Sequence, residues 1–425
     1  MNKKKNLLII NIKSLIQVDE NPHLKRGEEL ARMECIDNAY LYAENGIIIN
    51  YGKMQEMPLD YATILNTKYN NDPHSFEEIE IIDAKGKYVL PTFCDSHTHI
   101  VYAGSREQEF VDKINGLTYQ EIAARGGGIL NSAKLLHNSS EEDLYNSAMK
   151  RVQEVIATGT GAIEIKSGYG LNHNDELKIL RVIRRIKEST PICVKSTYLG
   201  AHAYPEKYRN NHNGYINEII NETIPAIGRA KLADFIDVFC EEGFFSVEDT
   251  EHIFEAGIKY GLRPKVHANQ MSFSDGVQTG VKYNAISVDH LECTDVNEFK
   301  ALKNSNTIAT MLPGATFFLN MNYAPARKII DYGIPIALAS NYNPGSCPSG
   351  NIQFAMTLAC IKMKMNPIEA FNACTINGAY AMGIENEYGS ITKGKKASLI
   401  ITKEIPSIDF IPYSFTTPFI DKIVL

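Results

Sequence analysis

The stretch Val89-Leu-Pro-Thr-Phe-Cys-Asp-Ser-His97-Thr-His99-Ile100 decides how this chain is read. Its apolar first half predicts a strand, and side chains two residues apart on a strand project to the same face. His97 and His99 therefore present two imidazoles to one point, the first half of a metal site. Taken alone, a His-x-His pair also suits two histidines that only hydrogen-bond at a strand end. The other histidines separate the two readings.

There are 11 histidines in the chain. His23, His74, His137, His173, His212 and His252 fall in polar loops or helix-like stretches. His97, His99, His202, His267 and His290 all stand at the C-terminal ends of β-like apolar runs, at 89–100, 192–203, 263–270 and 285–292. Four further runs, at 162–168, 233–241, 306–311 and 334–340, bring the total to eight. Amphipathic stretches with helix-start signals lie between most of them. Ser139 and Ser140 precede apolar positions at Leu144, Ala148, Val152 and Val155; Asn174 opens a run through Leu177, Leu180 and Ile183; Ser246 and Asp249 have the spacing of a capping box.

Strands alternating with helices predict a parallel sheet, and eight such units predict an α/β fold of the (β/α)8 barrel type. An open doubly wound sheet is the alternative, but no Gly-x-Gly-x-x-Gly turn opens a helix after the first strand. Catalytic groups of a barrel come from the C-terminal ends of several strands. The five histidines fall there, and the residues by themselves predict a metal-dependent hydrolase.

Strand-like pieces at 7–12 and 46–50 with charged connections mark residues 1–88 as something other than barrel. From about Tyr388 the chain is β-like again, at 397–402 and in a tail that ends Ile423-Val-Leu425. The two ends are expected to pair into one small composite β domain, 1–88 with 388–425, beside a barrel of 89–387, because chain termini often lie close together. Two unrelated terminal decorations are the alternative.

A chain of 425 residues accommodates a barrel and a small second domain. The net charge of −7 gives no support for nucleic-acid binding. Lys3-Lys-Lys is followed by only a brief apolar run before Asn11, without a small-residue cleavage site, so the start reads as a strand rather than a signal peptide. No stretch reaches the length of a membrane span. The eight cysteines are dispersed, several in apolar runs, which points to a reducing cytoplasm.

Several segments together carry a resemblance. Asp95-Ser-His97-Thr-His99 with Tyr102-Ala-Gly-Ser-Arg106, Lys166-Ser-Gly-Tyr169-Gly, Gly200-Ala-His202-Ala-Tyr-Pro, Lys265-Val-His267-Ala, Val288-Asp-His290-Leu and Asn343-Pro-Gly-Ser346 resemble the imidazolonepropionases, metal-dependent amidohydrolases of histidine breakdown. The likeness continues to Gly389-Ser-Ile-Thr-Lys-Gly-Lys-Lys-Ala397. His-x-His marks only the superfamily; the contexts of Arg106, Tyr169 and His202 mark this branch. The resemblance implies hydrolysis of 4-imidazolone-5-propanoate at its ring amide to N-formimidoyl-L-glutamate. It implies a single zinc or iron ion on His97, His99 and His267. It also implies substrate contacts from Arg106, Tyr169 and His202, with Asn343, Gly345 and Ser346 near the glutamate part of the product. A cytoplasmic homodimer is implied as well.

The chemistry asks for the same groups. An amide carbonyl needs polarisation and a nucleophile near neutral pH, and a bound metal ion supplies both. The planar fork of an arginine suits a propanoate better than the point charge of a lysine. A neutral imidazole such as His290 can hold or deprotonate water. Each residue also has a plainer reading: Arg106 as an ion pair with Glu107 or Glu109, Tyr169 as a pocket-edge aromatic, His202 as a helix cap or bonded to a backbone carbonyl.

Two positions depart from the family pattern. Asn341 stands where the resemblance implies an aspartate that completes the metal shell; an asparagine still offers its carbonyl oxygen to a metal but is neutral and cannot act as a base. Asp289 is expected to point away from His290, its neighbour on the strand, and so not to replace that carboxylate. Gln270 stands where some relatives are acidic and is read as a polar substrate contact, which leaves His290 as the base. Two alternatives accompany the favoured reading: another cyclic amidohydrolase or deaminase, and a barrel that binds ligand but is disabled at Asn341.

Overall fold

The computed structural model describes residues 6–69, 79–117, 121 and 127–425; His74 lies outside them. Two sheets organise the chain. The first collects β1 (Asn6–Ile16), β2 (Cys35–Glu44), β3 (Ile47–Lys53), β4 (Ile79–Asp83) and β5 (Tyr88–Pro91) from the N-terminal part. The second is the barrel: β6 (Phe93–Thr98), β7 (Thr160–Lys166), β8 (Cys193–Ala201), β9 (Phe235–Cys240), β10 (Arg263–Ala268), β11 (Ser287–His290), β12 (Ile308–Met311) and β13 (Ile336–Leu338). The C-terminal strands β14 (Leu399–Thr402) and β15 (Ile420–Val424) return to the first sheet, whose order is β15-β14-β5-β1-β2-β3 with β4 also paired to β1.

The two chain ends thus form one composite sheet. Leu7, Ile9 and Leu15 of β1 pack with Val89, Leu399 and Ile401 on one face. Leu8 and Ile10 pack with Tyr40 and Tyr42 on the other. Both faces are covered, so β1 is apolar almost throughout and lacks the alternation of a half-exposed strand.

All eight apolar runs become barrel strands, parallel and in chain order. Hydrogen bonds from Asn341 N to His97 O (3.0 Å) and from His99 N to Tyr342 O (2.9 Å) join the extension of β13 to β6. The run at 89–100 is two strands rather than one. Tyr88–Pro91 pairs with β1 and β14 in the terminal sheet. Phe93–Thr98 opens the barrel, with Phe93 N bonded to Gly159 O at 2.9 Å. Thr92 makes the hand-over, its N–H donating to Ser398 O at 3.0 Å. An apolar run buried in both sheets carries no mark of that change of partner.

The helix signals hold with one shift. Ser140 caps Glu141–Ala157, and Ser246 with Asp249 forms the capping box of Val247–Ile258. The next helix to be read starts earlier than Asn174, at His173, because Asn172 accepts the Asp175 N–H as its cap. The eight cysteines are unpaired. Among the described residues no helix is long and apolar enough to cross a membrane.

Candidate metal centre and substrate cavity

The site is built on a charged floor inside the barrel. Glu164 and Lys166 from β7, Asp237 from β9, Lys265 from β10 and Asp289 from β11 are all buried. Lys166 Nζ reaches Glu164 Oε1 at 2.6 Å, Asp237 Oδ2 at 2.7 Å and Asp289 Oδ2 at 3.6 Å. Lys265 Nζ pairs with Glu164 and donates to Ser96 O at 3.0 Å. Against the cost of burial, the three carboxylates raise the Lys166 ammonium above its usual range. Buried charges are tolerated when paired and hydrogen-bonded in this way.

The histidines stand on that floor. His97 Nδ1 lies 2.6 Å from Asp289 Oδ2, so it carries the hydrogen and leaves Nε2 as a lone pair facing upward. That Nε2 is 3.2 Å from His99 Nε2. His267 sits over Asp237, which accepts its backbone N–H at 3.1 Å and lies 3.0 Å from its Nδ1. Ring nitrogens of His97, His267 and His290 all lie within 4.8 Å of one another. Burial holds the rings of His97 and His99 well below the usual imidazole range, with neighbouring positive charges pushing the same way, and it lowers His267 against the opposing pull of Asp237. Neutral rings are the metal-binding form.

Asn341 closes the cluster. Its φ is +56°, a conformation that Asn and Asp adopt more readily than other side chains. Its Oδ1 is buried without a hydrogen-bond partner, as are His99 Nδ1 and His290 Nδ1. Buried polar atoms are nearly always satisfied, so the unpaired Asn341 Oδ1 beside the histidine cluster fits a ligand there. The donor set of imidazole nitrogens with one amide oxygen suits a divalent transition metal.

Above the cluster opens a cavity of about 330 Å³. Every site residue named from the sequence lines it except His97, which lies beneath. His202 Nδ1 bonds to Gly168 O at 2.9 Å, and burial lowers this ring to about 3. The plainer reading of His202 therefore holds, and the carbonyl fixes the ring while Nε2 remains for the cavity. Arg106 likewise keeps its ion pair: Nε donates to Glu109 Oε2 at 2.9 Å, and the two side chains are 10% and 9% exposed. Held in this way, the guanidinium lines the cavity. A Cβ on Gly345 would come 2.1 Å from Arg106 Nη1, so a side chain there would displace the guanidinium from this position.

Asn343 lines the cavity and also braces its own loop. Its Nδ2 donates to Asn341 O (2.7 Å) and Ser346 Oγ (2.8 Å), and its Oδ1 accepts from Gly345 N and Ser346 N. The amide holds the loop that presents its neighbours. Asp289 is a correction. It faces the barrel interior against His97, on the same face as Ser287, and it is His290, at φ +93°, that leaves the strand alternation on which the opposite expectation rested.

Sequence reasoning also missed Glu241, whose Oε2 accepts from Gln270 N (2.9 Å) and Met271 N (3.0 Å) and so sets the loop that carries Gln270. Lys113, Phe239 and Phe244 are among the further residues that line the cavity, unannounced by any spacing.

A closed barrel with a histidine cluster over its C-terminal mouth defines a metal-dependent hydrolase, and residues 88–421 match the model of the amidohydrolase family. The chain is 52% identical over 98% of its length, and 98% of the relative, to an imidazolonepropionase of Flavobacterium johnsoniae. It is 37% identical to one of Alkaliphilus metalliredigens, over 98% of this chain and 96% of that one. The fold is shared with a triazine hydrolase variant (TM-score 0.72, 13% identity, covering 99% of this chain and 93% of that one). It is shared too with guanine deaminase from C. acetobutylicum (TM-score 0.68, 16% identity, 99% and 98%). Within the amidohydrolases, the chain belongs to the imidazolonepropionase family.

Proposed function

We propose that this chain hydrolyses 4-imidazolone-5-propanoate to N-formimidoyl-L-glutamate. The observation that carries the reading is one cavity lined by both a buried histidine cluster and the buried Arg106 guanidinium. A zinc or iron ion on His97, His99, His267 and Asn341 would polarise the ring carbonyl and make water a nucleophile near neutral pH. Arg106, fixed by Glu109, binds the propanoate. Tyr169, His202 and Gln270 surround the heterocycle, and the loop that Asn343 holds sets Gly345 and Ser346 beside the glutamate part of the product. His290 takes the proton of the attacking water on Nε2 and passes it to the ring nitrogen as the amide C–N bond breaks. The carbonyl carbon becomes a carboxylate of the glutamate, and the freed nitrogen becomes the terminal nitrogen of the formimidoyl group on its amine.

The test is turnover of 4-imidazolone-5-propanoate by zinc- or iron-loaded protein, with formimidoylglutamate followed as product. Turnover abolished by a chelator and restored by metal is expected. Binding without turnover in either metal form would favour the competing reading, a barrel disabled at Asn341. Neither binding nor turnover would direct attention to other cyclic amides or amines. The family reading carries with it a cytoplasmic homodimer, for which light scattering of the purified protein is the check.

A further inference from the structure

β11 ends in backbone that a regular strand does not adopt. His290 has φ +93° and Leu291 has φ +70°, two successive non-glycine residues in the left-handed region. Such strain persists only where the surroundings over-determine it. Its result is to bring Glu292 back beside His290. His290 Nδ1 lies 3.5 Å from Glu292 Oε2, and both side chains are 3% exposed. Both atoms are buried, and neither makes a hydrogen bond in this structure. The second carboxylate oxygen is anchored, accepting from Thr316 Oγ1 at 2.7 Å. His290 lines the cavity and Glu292 does not, so the carboxylate stands behind the ring.

We propose that Glu292 is the positioning residue of His290. Its Oε2 accepts the Nδ1 hydrogen, which leaves the Nε2 lone pair aimed at the attacking water. A neutral imidazole has one N–H and one lone pair, and the partner of one nitrogen decides which role falls to the other. The separation of 3.5 Å is one that catalytic hydrogen bonds shorten when the site is filled. This inference rests on the hydrolysis proposed above and deepens it. The pair carries more weight in this chain because Asn341 offers no carboxylate for the proton.

The experiment compares Glu292→Gln and Glu292→Asp in the native chain and in Asn341→Asp, reading kcat, KM, metal content and ¹⁵N spectra of the histidine rings in metal-loaded protein. In the native chain Glu292→Gln is expected to lower kcat about 10- to 100-fold, within the range of general-base effects. KM and metal content should stay within about twofold, and Glu292→Asp should recover part of the loss, because a charged acceptor makes the stronger bond. In Asn341→Asp the same change should cost less than about threefold, since the introduced carboxylate gives the proton a second acceptor. His290, assigned by difference from His290→Gln, should be Nδ1-protonated in the native chain and lose that preference in Glu292→Gln. The ring spectra need no turnover, so an inactive native chain with an Nδ1-protonated His290 refutes the hydrolysis and supports the positioning. Equal losses in both backgrounds, metal loss in Glu292→Gln, or an unaltered His290 ring would overturn it.

Discussion

Asn341→Asp isolates the charge at the one proposed metal-site position where the resemblance implies an aspartate. The two side chains have the same shape, and both tolerate the φ of +56° found there, so the backbone has no reason to move. Asn341 is 2% exposed and its Oδ1 has no partner. Without metal, the substitution places an unsatisfied carboxylate where an unsatisfied amide stood. Leaving a buried polar group unpaired costs about 1–3 kcal/mol, and more for a charge. The metal-free variant should therefore melt below the native chain. With metal the sign reverses. Altering one supporting group around a metal changes affinity about 10- to 100-fold. A carboxylate facing the ion directly belongs at the upper end, ~2.7 kcal/mol for the hundredfold case. Competition against a chromophoric chelator, with melts in metal and in chelator, measures both. Tighter binding by about 100-fold and a wider gap between the two melting points are expected. Equal affinity with an unchanged metal-free melt would mean that Asn341 Oδ1 does not face the ion.

Arg106→Gln should raise KM for the carboxylated substrate by at least about 30-fold, because truncating one partner of a buried, hydrogen-bonded charge pair costs about 2–5 kcal/mol; an unchanged KM would mean that the substrate carries no carboxylate there. The metal-free protein should lose stability on acidification. His202 is lowered to about 3 by burial, against about 6.5 for an unperturbed ring. The unfolded chain binds the extra proton between those limits, so this contribution is complete above about 6.5 and is lost as pH falls toward 3. Burial lowers His97, His99 and His267 as well, which gives the same sign. Urea midpoints at about pH 7.5 and 5.5 test this, and an equal or higher midpoint at the lower pH would refute it.

The barrel was legible because its strands are short apolar runs and five of its histidines mark their ends. The hand-over at Thr92 was not, since Pro91 and Phe93 are equally buried in two different sheets. The charged floor left a trace that the apolar reading passed over. Glu164 with Lys166, and Lys265 with His267, are spaced by two within apolar runs and so share the inward face. What they meet depends on barrel closure, which no local spacing encodes. Glu241 and Glu292 lie just beyond strand ends, where the backbone direction rather than the residue pattern decides their neighbours.

Asp289 shows how the floor and the metal site depend on each other. It was set aside on strand alternation, yet it holds His97 at 2.6 Å and stands 3.6 Å from Lys166. Glu164, Asp237 and Asp289 outnumber Lys166 and Lys265 by one negative charge, placed beneath the histidines. With a neutral Asn341 above, attraction for a cation comes from below. Asp289→Asn should therefore do more than remove a charge. Ser287 Oγ donates to Asp289 Oδ1 at 2.5 Å, which leaves the new amide nitrogen facing His97 Nδ1. An N–H donor there forces the ring hydrogen onto Nε2 and removes the lone pair that a metal needs. Lys166 keeps Glu164 and Asp237 within 2.7 Å, so the fold should survive. Metal affinity is expected to fall at least about 100-fold, beyond the loss of an ordinary supporting group. Chelator competition on the folded variant is the measure, and native affinity would show that Asp289 serves the Lys166 cluster alone.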